Sequence, residues 1–195
     1  MPFFGNVAFE PKRKFRFLVN FSGISNLTFM VKSVNKPSYT MSEKSHNVLN
    51  HIFKFPGVVK WNDVKCTFID AKDPSVGSKF YLALLNAGYV KPINESALVT
   101  GITKLSTTAA IGEVTIRQLD GGGVVLPQGP EAPGFVDQTR WLEQWTLKNA
   151  FIKGVTFGEG LDYSSEDLVD ISVDLVYDYA TYEHNDPVGV PLALG

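Results

Sequence analysis

Cysteine is almost absent: one residue, Cys66, stands in a chain of 195, so no internal disulfide can staple the fold. Long apolar runs are missing as well, and no window approaches the roughly 18 to 20 consecutive apolar residues that a membrane-spanning helix requires. Basic charge is not in excess. Eighteen lysines and arginines face 20 aspartates and glutamates, a net charge of −2, which argues against a chain built to grip nucleic acid or an anionic membrane. The opening residues Met1 to Asn6 lack the cationic start and apolar run of a secretory signal, so the expectation is a soluble, cytoplasmic protein. What the chain does have is 44% hydrophobic and 12% aromatic residues with only 19% charged. That composition excludes general disorder and supports one compact domain with a real core.

Signals of catalysis and of metal binding are equally scarce. His46, His51 and His184, together with Cys66, match no zinc spacing, so neither a metal nor a cofactor is expected. Cys66 lies between Val64 and Phe68 on the inward side of a strand pattern and reads as a small core residue rather than a nucleophile. Gly121 to Gly123 lack the Lys-Ser/Thr that would complete a phosphate loop, and no Gly-x-Ser-x-Gly elbow exists. The carboxylates Asp162, Glu166 and Asp167 sit in a Ser/Asp-rich stretch before a strand. Such a stretch reads as a polar turn bonding its own backbone.

Alternation of period two recurs along the chain, so the expected fold is mainly β, a sandwich or barrel with one flanking helix. Phe15, Phe17, Val19 and Phe21 share one face of a first strand, and Leu27, Phe29 and Val31 one face of a second. The turn at Gly23 makes the two an expected hairpin. Residues 38–50 show no period and read as a loop, followed by a short strand from Ile52 to Phe55 and a turn at Pro56-Gly57. Val64, Cys66 and Phe68 give a third strand, and Val114 with Ile116 another. Asp73 or Ser75 caps the one expected helix, over 75–87, which stops at Gly88. Trp141 to Phe151 reads as a strand, although the spacing of Trp141 and Trp145 also suits a helix face. The clearest pattern sets Val169, Ile171, Val173, Leu175, Tyr177 and Tyr179 against Asp170, Ser172, Asp174, Val176 and Asp178.

Leu18, Met30, Ile69 and Val176 fall on the nominally wet sides of these strands. Taken together they point to cover by other subunits, and they are the candidate interface residues. The row Asp170, Asp174 and Asp178 is either an ordinary solvated face or an electronegative surface that keeps a polyanion from adhering.

Two stretches carry a family resemblance. Phe15 to Phe21, Phe29 to Lys32, Lys36-Pro37, Lys54 to Gly57, Trp61 to Val64 and Thr67 to Asp70 resemble the N-terminal half of the tail tube proteins of contractile-tailed bacteriophages. Trp145 to Phe151, Gly160 to Ser165 and Val173 to Ala180 are similar to the closing part of the same family, which also includes the inner tube of type VI secretion systems. The resemblance implies a β-sandwich or barrel protomer, hexameric rings stacked into a hollow tube, and passage of DNA without specific binding. It also implies sheath, baseplate and terminator proteins as partners, and a place in the tail of a virion made in the host cytoplasm. The 119–136 stretch and the chain after Tyr182 are longer than that pattern needs. On this reading 1–13 is an N-terminal arm, 14–182 one domain with an insertion at 119–136, and 183–195 a C-terminal tail. Arm, insertion and tail are expected to become ordered mainly through neighbouring subunits.

A conduit for DNA should expose few cations, so Asp170, Ser172, Asp174 and Asp178 become the candidate channel lining. A tube-initiating or tube-terminating ring is the nearest alternative. A small β-rich enzyme or ligand-binding module using Cys66 or the 159–167 turn is the alternative from another class.

Overall fold

The computed structural model describes residues 11–91, 101–119, 141–158 and 160–185. Most of the 119–136 insertion, the first ten residues and the chain beyond Asn185 lie outside that set. Two four-stranded antiparallel sheets share one core. The first has the order β1-β6-β7-β10, formed by Phe17–Phe21, Val114–Leu119, Trp141–Lys148 and Tyr179–His184. The second, β2-β5-β9-β8, is formed by Val31–Val34, Val64–Ile69, Asp170–Val176 and Phe151–Thr156. A third, two-stranded sheet joins β3 (Tyr39–Val48) to β4 (His51–Trp61).

Period-two patterning builds the sandwich. Val19 and Phe21, Val64, Cys66 and Phe68, Val114 and Ile116, and Ile171, Val173 and Leu175 are all buried, while their sequence neighbours are not. Each such side chain contributes roughly 1.5 to 3 kcal/mol on leaving water. Helix α1 (Val76–Asn86) starts where Ser75 accepts from the Ser78 backbone N–H at 3.2 Å. Asp70 Oδ1 accepts from Val76 N at 2.9 Å and fixes the entry of the helix. The helix buries Phe80 against Phe68 and Phe21, with ring centroids 5.1 and 6.3 Å away. A second helix, α2 (Lys104–Ile111), follows. It buries only Ile111 and carries a Thr103/Ser106 capping box in place of the usual Glu, so neither an apolar stripe nor a familiar cap marks it in the sequence.

Three expectations need correction. The first two strand patterns do not form a hairpin: β1 pairs with β6 and β2 with β5, in different sheets. Between them Ile24 and Leu27 are buried, Asn26 takes a positive φ of 60°, and Thr28–Met30 forms a 3₁₀ turn that carries the chain across the core. Phe15 lies outside β1 and Phe29 in that turn, both exposed. The long closing alternation is likewise two strands. It breaks at Tyr177-Asp178, and β10 crosses to the first sheet to pair with β7. The run from Trp141 to Phe151 divides in the same way at Asn149-Ala150. Asp178 N donates to Lys148 O at 3.1 Å, tying the two corners together. Alternation survives such corners because both sheets turn their apolar faces to one core. The third correction is the supposed loop at 38–50, which is strand β3. The supposed turn at Pro56-Gly57 is a bulge inside β4, where the register slips between Met41 and Glu43. A Cβ on Gly57 would lie 2.8 Å from the Ser42 carbonyl oxygen, so glycine is required for the two strands to approach there.

Phe80→Ala should cost about 3 to 5 kcal/mol of stability in urea denaturation, because it empties the contact between α1 and both sheets. A loss under about 1 kcal/mol would show that α1 is not integral to this core.

Candidate assembly surfaces

The β3–β4 ribbon is rooted in the sandwich by aromatic contacts. Tyr39 packs on Trp61 at 5.6 Å between centroids, and Trp61 on Tyr177 at 5.9 Å. Asn62 N donates to Ser38 O at 2.9 Å across the same root. Outward from it, every residue of β3, and of β4 up to Lys60, is exposed. Among them are Phe53 and Phe55, just over half exposed, and Leu49 at the tip, almost wholly so. The register fixes the two faces. Lys44 lies opposite Phe55, His46 opposite Phe53 and Val48 opposite His51, so these six share one side. Glu43, Ser45, Asn47, Ile52, Lys54 and Pro56 share the other. Lys54 pairs with Glu43 at 3.0 Å on that second side.

The candidate interface residues read from the sequence are less exposed than this ribbon. Leu18, Ile69 and Val176 are half-buried on outward strand faces, whereas Met30 sits in the 3₁₀ turn and packs on the core. Of the ribbon, the sequence shows only the short strand Ile52 to Phe55, because apolar residues on both faces leave no period for β3 and the rest of β4. The ribbon's only signal is the crowding of Ile52, Phe53, Phe55, Val58 and Val59 without alternation.

Asp170, Ser172 and Asp174 share the outer face of the second sheet. Asp178 does not join them; it lies at the corner after β9, where Lys104 at 2.6 Å and Asn149 at 2.8 Å bind its carboxylate and hold it below the usual carboxylate range. Asp170 pairs with Lys32 at 2.6 Å, and Asp174 stands opposite Lys65. Over this face runs an open groove of about 1170 Å³, walled on one side by residues of the 160–169 segment. Within that segment Asp162 Oδ1 accepts from the Ser164 N–H at 2.9 Å, which lowers its pKa, and Ser165 Oγ donates to Asp167 at 3.0 Å. Those aspartates are engaged in local turn bonds. Leu161, Tyr163 and Leu168 beside them project into solvent.

Cys66 is fully buried, and burial, with the charge of Asp174, pushes its thiol up to about 12. Such a thiol is a packing group, not a nucleophile. Glu143 is the strongest electrostatic node. Its side chain is 8% exposed, takes ion pairs from Lys12 and Lys36, and is reached by the Tyr182 hydroxyl at 3.4 Å. Beside it Gln118 donates to the Arg13 and Arg16 carbonyls at 2.6 and 2.7 Å. One carboxylate therefore ties both the N-terminal segment and the approach to the ribbon onto the first sheet. Burial pushes Glu143 up, but the two lysines outweigh it and leave the carboxyl below its ordinary value.

No protein-family model matches the sequence. No curated protein matches it either. Solved structures do. A chain of the 6-fold symmetrised anti-feeding prophage baseplate aligns with TM-score 0.60 and 14% identity over 90% of this chain and 97% of its own. A chain of the anti-feeding prophage tube-terminating cap aligns with TM-score 0.60 and 14% identity over 95% and 100%. A chain of the extended sheath-tube complex of the extracellular contractile injection system PVC aligns with TM-score 0.55 and 16% identity over 90% and 93%.

A group whose folded pKa is lowered adds stability above its unfolded pKa and loses it as pH falls through the folded value. Melting temperatures taken from about pH 7 to about pH 3 should therefore fall less steeply for Glu143→Gln than for the parent, with a loss of about 1 to 3 kcal/mol at neutral pH. Parallel curves would mean that the Lys12-Glu143-Lys36 node contributes nothing. At this distance in sequence the alignments establish the fold alone: this chain shares its architecture with chains of the anti-feeding prophage baseplate and tube-terminating cap and of the PVC sheath-tube complex.

Proposed function

We propose that the chain is a subunit of the inner tube of a contractile injection apparatus, a phage tail or a related particle, assembling as stacked hexameric rings that form a conduit for DNA. The observation that carries this reading is the β3–β4 ribbon. A two-stranded hairpin is marginal in water on its own, and this one offers apolar side chains from both faces on a fold shared with ring and tube components. Among the described residues β1 and β10 form the edges of the first sheet, which also invite pairing with a neighbouring copy.

Partners on this reading are other copies first, then sheath, baseplate and terminator proteins. The acidic lining narrows to the part of the second sheet centred on Asp174, which is exposed, because Asp170 and Ser172 sit within the groove. Lys65, opposite Asp174, offsets part of that charge, so on this reading a polyanion meets a lining close to neutral rather than a basic one.

A single-ring component is the second reading, favoured by the alignments to baseplate and cap chains that span nearly the whole of those proteins. Electron microscopy of the purified protein separates the two: stacked rings or tubes are expected, and isolated rings would favour the terminator or initiator role. A species that stays monomeric at high concentration, even with preformed ring added as nucleus, would contradict both.

A further inference from the structure

We infer that the Lys44/Phe53/Phe55 face of the ribbon docks on the 160–170 segment of a neighbouring copy. This rests on the self-assembly reading above and names the seat that the reading leaves open. Two surfaces of the chain are complementary in charge. From Tyr39 to Trp61 the ribbon carries three lysines against one glutamate, within a protein of net charge −2. Its sole carboxylate, Glu43, lies on the other face, paired with Lys54. The face bearing Lys44, His46, His51, Phe53 and Phe55 therefore presents aromatic rings among basic groups and no acid.

The 160–170 segment is its complement. It holds Asp162, Glu166 and Asp167, exposed and without a lysine or arginine in the segment, while Asp170 at its end is paired with Lys32, which lines the groove together with Lys65; Leu161, Tyr163 and Leu168 stand exposed among the carboxylates. It edges the groove of about 1170 Å³ above the second sheet, a recess broad enough to receive side chains of a ribbon. Opposite charges around apolar contacts give the contact its orientation. Because ribbon and seat are different surfaces, the contact is head-to-tail. Such a contact closes into rings or propagates as a filament rather than stopping at a dimer.

Zero-length carbodiimide coupling joins only amines and carboxylates already in contact, and it acts on the unaltered protein. In assemblies made from equal parts of ¹⁴N- and ¹⁵N-labelled protein, peptides joining Lys44 to the 162–167 carboxylates should be found as mixed-isotope pairs. Lys44→Glu should lower the assembled fraction about tenfold or more in sedimentation, as loss of a close interfacial charge pair does. Adding Glu166→Lys to that variant should restore assembly. Assemblies in which Lys44 couples only to carboxylates elsewhere, or only within one copy, overturn this seat while the tube reading stands. Failure of the parent protein to assemble at all removes the tube reading instead.

Discussion

A two-stranded ribbon cannot bury either of its faces by itself, and that constraint organises everything else in this molecule. The sandwich is complete: its two sheets close on Val19, Phe68, Val173 and their neighbours, with α1 capping the core through Phe80. The ribbon is not, since Phe53, Phe55 and Leu49 remain in water. Apolar groups held in water at a fixed place gain free energy only when another surface covers them. The chain therefore combines a core that closes on itself with an arm whose apolar side chains stay exposed.

The polar groups serve the same division. Glu143 draws Lys12 and Lys36 to one end of the first sheet, so the segment leading into the ribbon is fixed by a shared charge as well as by the Tyr39, Trp61 and Tyr177 rings. The Pro56-Gly57 bulge bends the arm against Ser42 beyond this root. Rooted and bent in this way, the arm has a defined direction, which would lower the entropy cost of the docking proposed above.

How much of this could be read from the sequence depended on whether one face of an element is buried. Val64, Cys66 and Phe68, or Val114 and Ile116, alternate cleanly because one side of each strand meets the core, and Ser75 announces α1. The same period misled at the corners. Tyr177 and Tyr179 continue the alternation of β9 although the chain has left for the other sheet, so the pattern alone sets Asp178 in one row with Asp170 and Asp174. Between Tyr39 and Lys60 both faces are wet and no period exists, so residues 38–50 read as a loop and only Ile52 to Phe55 as a strand. Met30 falls on a strand face in the sequence pattern because a 3₁₀ turn and a strand look alike over three residues. Family resemblance was legible despite these errors because it rests on the order of short patterns along the chain.

Amide hydrogen exchange, compared between dilute protomer and assembled protein, tests the central claim most directly. The account predicts rapid exchange across Tyr39–Trp61 in the protomer and a slowing on the order of a hundredfold or more on assembly, with β5 and β9 protected in both states. A ribbon that is as well protected in the isolated protomer as the core strands, or that stays unprotected in the assembled particle, would contradict it.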